Sequence, residues 1–109
     1  MNDLKDLIVA GLQIPYIDEN TPVFDGSFTM THIYNNGLSG NGIVKTSTTL
    51  LNVDLFYTDK IDCVDSAVKL WRTISETKGM ASEAPDYTYE ESANMWRATL
   101  AIELVNKED

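Results

Sequence analysis

Basic residues are scarce in this sequence. Eight Lys and Arg stand against seventeen Asp and Glu, leaving a formal charge of −9 over 109 residues. Affinity for a phosphate backbone comes from Lys and Arg displacing counterions, so specific nucleic-acid binding is not expected. Cysteine occurs once, as Cys63. That excludes an internal disulfide framework and a thiolate-rich zinc site. With Asp62 and Val64 as its neighbours, Cys63 reads as a reduced, partly buried side chain rather than a reactive thiol. Histidine also occurs once, as His32 between Thr31 and Ile33. A general base needs a positioned partner and a metal site needs several ligands. Neither is visible near His32, which reads as structural or as a rim residue. No apolar run approaches the roughly 20 residues of a membrane span. Lys5 lies between Asp3 and Asp6, and Gly11 and Pro15 break the short apolar patch that follows. A secretory signal has a basic start and a longer apolar stretch. The expectation is a cytoplasmic product with no membrane partner.

Chemical motifs are missing too. The chain has no G-x-x-x-x-G-K-[ST], G-x-G-x-x-G, H-E-x-x-H, C-x-x-C or nucleophile elbow. Asp59, Asp62 and Asp65 lack the alternating ligands, central glycine and closing Glu of a calcium loop. Helix capping accounts for them better. No catalytic residue, cofactor site or metal site is assigned.

What is present is one domain. A chain this long buries roughly two-thirds of its unfolded surface, and 43% hydrophobic residues argue against disorder. Leu4, Leu7, Ile8 and Leu12 follow helical spacing, predicting a short helix over 3–12 that Gly11 and Pro15 end. Residues 13–26 read as a connector, with Asp25-Gly26 as a turn signal. The period then becomes two. Phe28, Met30, His32 and Tyr34 alternate with Thr29, Thr31 and Ile33, predicting a strand. Asn35 to Gly42 holds three glycines and three asparagines in eight residues and reads as a flexible loop. Residues 43–57 predict a long second strand and so a hairpin. Asp62 to Lys78 is the strongest helix, with Asp62 as the expected N-cap and Gly79 as its stop. Its stripe is Val64, Ala67, Val68, Trp71 and Ile74. Tyr87 to Tyr89 reads as a short strand, and 95–105 as a long alternating one.

The fold class is therefore α+β. We expect an antiparallel-rich sheet of about four strands with two helices on one face, in the order α-β-β-α-β-β. Trp71 and Trp96 are expected as the largest core members. Replacing either by Ala costs about 3–5 kcal/mol if it is a core residue.

Two features exceed what one small core requires. Strand 43–57 is apolar on both faces. Leu51, Val53, Leu55 and Tyr57 share one, and Leu50 and Phe56 the other. Met95, Ala101 and Val105 repeat this mildly on the last strand. Either the connector and residues 80–94 cover the second face, or it is an interface. The Asn35–Gly42 tract, with Leu38 at its middle, is either a plain hairpin end or a segment that orders on a neighbouring subunit. Asn35, Asn36, Gly37, Leu38, Ser39, Gly40, Asn41, Leu50 and Phe56 are the candidate interface residues.

Three stretches carry a resemblance: LIVAGLQIPYIDE near the start, LFYTDKIDCVDSAVKLW from strand into helix, and MWRATLAIELV in the last strand. They resemble minor structural proteins of phage morphogenesis clusters, in particular the tail-completion or tail-to-head joining family of long-tailed phages. FYTDKID is similar to a strand-to-helix step, YT followed by an acidic residue, Lys, any residue and Asp, in such proteins of Gram-positive phages. The likeness covers nearly the whole chain in order of elements. Residues 35–42 and 80–94 carry no family pattern. The resemblance implies a non-enzymatic subunit that forms a ring, commonly hexameric, between tail-tube and head-connector proteins. It implies a location in the host cytoplasm during assembly and afterwards in the virion. Head-completion and minor capsid proteins fit the same features. An acidic DNA mimic acting on a host protein is the weaker alternative, because the cluster Glu83, Asp86, Glu90 and Glu91 is too short to imitate a phosphate backbone and helix 62–78 is balanced in charge.

Overall fold

The two period-two blocks after the connector pair with each other. The computed structural model describes residues 2–18, 20–40 and 43–107, and side-chain environments for 3–18, 20–32 and 48–105. Its elements are α1 (Asn2–Leu12), β1 (Ser27–Gly40), β2 (Ile43–Tyr57), α2 (Lys60–Ser75), β3 (Met80–Ser82), β4 (Asp86–Glu90) and β5 (Met95–Lys107). β1 and β2 form an antiparallel hairpin from Ser27↔Phe56 to Gly40↔Ile43, with register shifts after His32 and Leu38. β5 lies antiparallel on the other side of β2, from Thr46↔Lys107 to Tyr57↔Trp96. β3 and β4 share the far side of β5, at Met80↔Leu104 and Asp86↔Thr99 respectively. Pro85 lies in the gap between them, where a residue without N–H can interrupt a ladder. The molecule measures 51 × 28 × 21 Å. The fifteen residues of β2, at about 3.3 Å each, account for the long axis.

The α+β class and the one-sided helix layer agree with the sequence expectation. The strand count is five, because Met80–Ser82 adds a short strand that residue pattern did not reveal. The Asn35–Gly42 reading requires correction. Residues 35–40 are not loop but the end of β1, paired with 43–49. Strand pairing with the long, β-branched β2 overrides the local preference of Asn and Gly for turns. Asn41 and Gly42 lie outside the described residues.

The helix ends also shift. α1 passes through Gly11 and stops at Leu12; Gln13 turns left-handed at φ 56° and its N–H donates to the Val9 carbonyl at 2.9 Å. α2 is capped by Asp59, not Asp62. Asp59 has extended backbone, and its carboxylate accepts the Asp62 N–H at 3.4 Å. At the other end α2 stops at Ser75, short of Lys78. The hydroxyls of Thr73, Ser75 and Thr77 each donate to the carbonyl four residues back. Such bonds compete with the helical ladder. Gly79, at φ +84°, instead serves the turn into β3, and its carbonyl accepts the Val105 N–H at 2.8 Å.

The core lies between the helices and one face of the sheet. Leu4 and Ile8 of α1 and Cys63, Ala67, Leu70 and Ile74 of α2 are buried there. They meet Phe28, Leu51, Val53, Leu55, Tyr57, Ala98, Leu100, Ile102 and Leu104. Small Cys63 and Ala67 allow α2 to approach the strands closely. Phe28, fully buried, is the largest completely enclosed side chain. Trp71 and Trp96 are half-buried at the margin, which corrects their expected central place. Indole N–H needs a partner. Trp71 finds one by reaching over the sheet edge to the Ser82 carbonyl at 3.2 Å. Trp96 packs edge-on to Tyr89, with the Lys60 ammonium 4.9 Å above its ring.

Candidate functional site

Among the described residues no helix packs on the opposite face of the sheet. Alternation sends Leu50, Asn52, Asp54 and Phe56 of β2 to that face. Across from them on β5 stand Glu103, Ala101, Thr99 and Arg97. Leu50 and Ala101 are half-buried, Glu103 is exposed and Val105 is 38% exposed. A shallow depression of about 330 Å3 is lined by Leu50, Ala81, Ser82, Glu83, Ala101 and Glu103. Next to this apolar floor runs a polar strip. Thr99 Oγ1 donates to Asp54 Oδ1 at 2.5 Å. Arg97 Nη2 meets Glu90 Oε1 at 2.9 Å. Arg97 Nε is buried with no hydrogen-bond partner among the described residues.

Residues 80–94 do not shield this face; they widen the sheet as β3 and β4. The connector also runs to an edge. The Ile17 N–H donates to the Phe28 carbonyl at 2.9 Å, and the Phe28 N–H to the Pro15 carbonyl at 3.2 Å. A parallel bridge thus joins Tyr16 to Phe28 on the outer side of β1. Ile14 and Ile17 are buried as a result, a role their place in an irregular segment did not disclose.

The described candidate interface residues fall on one hairpin. Leu50 stands opposite Tyr34 in the register, and Asn35, Asn36, Gly37, Leu38, Ser39 and Gly40 continue β1 from there. Asn41 lies outside the described residues. Phe56 shares the Leu50 face but is only 7% exposed, so it offers little surface to a partner. Ala81 and Glu103 also line the depression and were missed. Ala81 lies in an unforeseen strand, and Glu103 looks like any solvated charge until its cross-strand partner is known.

The titratable groups are spread out. Cys63 is fully buried, and burial pushes its thiol up to about 11. Burial also raises Tyr57 and Tyr87 above the ordinary tyrosine value. His32 is exposed on β1. Asp59 is occupied as the helix cap. Among the described residues no group of three His, Cys, Asp or Glu side chains could hold a metal ion. No helix among them is long and apolar enough to cross a membrane.

No family model matches the sequence, and no curated protein matches it. The fold does match solved structures. One is a chain of a structure described as the virion of a native gene transfer agent (GTA) particle. It has a TM-score of 0.60 at 10% sequence identity, covering 94% of this chain and 85% of that one. At that identity the likeness is one of fold.

Proposed function

We propose that this chain is a structural subunit of a phage-like virion, acting in tail completion or head–tail joining. One observation carries the proposal: the whole-chain fold likeness to a component of a gene transfer agent virion. The uncovered sheet face supports it. A monomer has no use for Leu50, Ala101 and Val105 on an open β surface, whereas a subunit among copies does. In this reading copies assemble into a ring, hexameric as in the family the sequence resembles. The ring lies between tail-tube and head-connector proteins. Head-to-tail rings use heterologous contacts, and the β1 stretch Asn35–Gly40 with Leu50 supplies one side of each. Phe56 contributes from beneath. The protein acts in the host cytoplasm during assembly and then remains in the virion. It performs no catalysis.

DNA mimicry has less support. Among the four clustered carboxylates, Glu90 is already paired with Arg97. A mimic needs its charges unneutralised.

The test is disruption of the gene in the phage or prophage that encodes it, followed by electron microscopy. DNA-filled heads beside unattached tails, rescued by the wild-type gene and not by Leu50→Glu, are expected. Joined, infectious particles lacking the protein would end the proposal. Empty, DNA-leaking heads with normal tails would move the role to head completion. Light scattering over a range of protein concentrations then reports ring size.

A further inference from the structure

The depression on the open face has an acidic rim. Glu103 lies across from Ala81, and the Glu83 N–H donates to the Ala101 carbonyl at 3.1 Å. The two glutamates therefore stand diagonally across the ladder, about 7 Å apart. Between them the floor is Leu50, Ala81 and Ala101. Neither carboxylate has an ion-pair or hydrogen-bond partner among the described residues. The basic residues of β5 are Arg97, which is paired with Glu90, and Lys107, four residues beyond Glu103. Lys78, exposed in the turn before β3, pairs with neither glutamate.

α2 carries the complementary pattern on its outer side. Its buried stripe is Cys63, Ala67, Leu70 and Ile74. Ile61, Val68 and Arg72 lie on a second line, at the i+7 and i+4 steps of one helical face. Ile61 is 68% exposed, more than any other large apolar side chain among the described residues. Lys69 and Arg72 are exposed and have no ion-pair partner among the described residues. Three positions apart on a helix, they are about 5–6 Å from one another at Cβ. With Val68 they line a shallow groove, joined by Asp65 one turn earlier and Glu76 one turn later.

We infer that these two surfaces meet between copies of the chain. The Val68–Arg72 ridge of one copy seats on the Leu50–Ala81–Ala101 floor of the next, with Lys69 and Arg72 against Glu83 and Glu103. Two cations and two carboxylates at similar spacing face each other across apolar centres. The ridge lies on the helix layer and the floor on the opposite face of the sheet, so the contact is heterologous and repeats from copy to copy. The inference rests on the ring reading above and names the surface that the Leu50 face receives. Each copy carries −9, which repels at long range. Physiological salt screens charges beyond about 8 Å and screens pairs in contact much less.

Sedimentation velocity of the full chain over a range of concentrations tests the contact. The wild-type chain self-associates. Glu103→Arg and Arg72→Glu each weaken self-association at least tenfold, because like charges then face each other. An equimolar mixture of the two variants recovers it, since each altered surface meets its complement on the other chain. A chain carrying both substitutions recovers it as well. Urea midpoints establish that the variants fold. Should either reversal not fold, Glu103→Gln and Arg72→Gln carry the decision, each weakening association about threefold. A wild-type chain that stays monomeric up to about 1 mM overturns the inference. So does association that either reversal leaves unaltered, or a mixture that recovers nothing. These outcomes leave the virion reading standing, because gene disruption decides that reading. Joined particles lacking the protein would end the virion reading, whereas a mixture that recovers association would still establish the contact.

Discussion

Leu50 and Leu51 are chemically identical neighbours on β2 that face opposite ways, so truncating each in turn measures how one-sided the core is. Leu51 is fully buried, opposite Ile102 and within the cluster that contains both helices. Leu50 stands opposite Glu103 on the open face and is half-buried. Leu51→Ala removes a completely enclosed side chain and leaves a cavity, which costs about 2–5 kcal/mol. Leu50→Ala removes a side chain whose full burial is worth about 1.5–3 kcal/mol and of which about half is realised, so about 1 kcal/mol is lost. The lost strand preference is the same for both and cancels. The gap is then about 2 kcal/mol, or roughly thirty-fold in the unfolding equilibrium. Urea unfolding with an unchanged m-value is the assay. On heating, Leu51→Ala should lie about 8 °C or more below Leu50→Ala, at about 4 °C per kcal/mol. Equal losses near 3 kcal/mol would mean that both faces are covered, and the argument for an interface on the Leu50 face would fall. Equal losses below 1 kcal/mol would mean that the helices do not seal the other face.

The buried Cys63 thiol makes stability fall in alkali. Its pKa is raised from 9.0 to about 11, so between those values the unfolded chain has lost a proton that the folded chain keeps. Stability is full below pH 9 and declines through pH 11, by about 1.4 kcal/mol at pH 10. Cys63→Ala should flatten this part of the urea-midpoint profile, leaving the later contributions of Tyr57 and Tyr87, whose shifts have the same sign. Gly26 has φ +77°, and a Cβ there would meet only Ile14 Cγ2 at 3.7 Å, an ordinary contact. Gly26→Ala therefore costs backbone strain, about 1–2 kcal/mol in chemical denaturation, and Gly26→Asn less. Trp71→Phe keeps most of the packing and loses the bond to Ser82. About 1 kcal/mol of stability goes with it, and the Ala81 amide of β3 should exchange faster.

The candidate site was legible where alternation is strict. Leu50, Ala101 and Val105 were identifiable because strands of thirteen and fifteen residues allow two faces to be separated by period alone. Phe56 obeyed the same period, yet it is nearly enclosed, because burial depends on what lies across a face as well as on which face a residue occupies. Asn35 to Gly40 misled because Asn and Gly signal turns in isolation, whereas a long partner strand extends them. Trp71 and Trp96 misled because size alone suggests a central position, while a polar N–H draws an indole to a margin where a carbonyl is available.

What this sequence determined by itself was local and periodic. The two amphipathic helices, four of the five described strands and the antiparallel character follow from spacing, because side-chain direction repeats every 3.6 or 2 residues whatever the surroundings. The acidic balance could likewise be read without coordinates. Tertiary structure decided which strands became margins, which face the helices took and where the connector met β1. Those outcomes depend on pairings between residues far apart in the chain, such as Thr46 with Lys107, and local composition does not encode them. Glu83 and Glu103 became the rim of one depression only when a segment without a clear period was laid against β5.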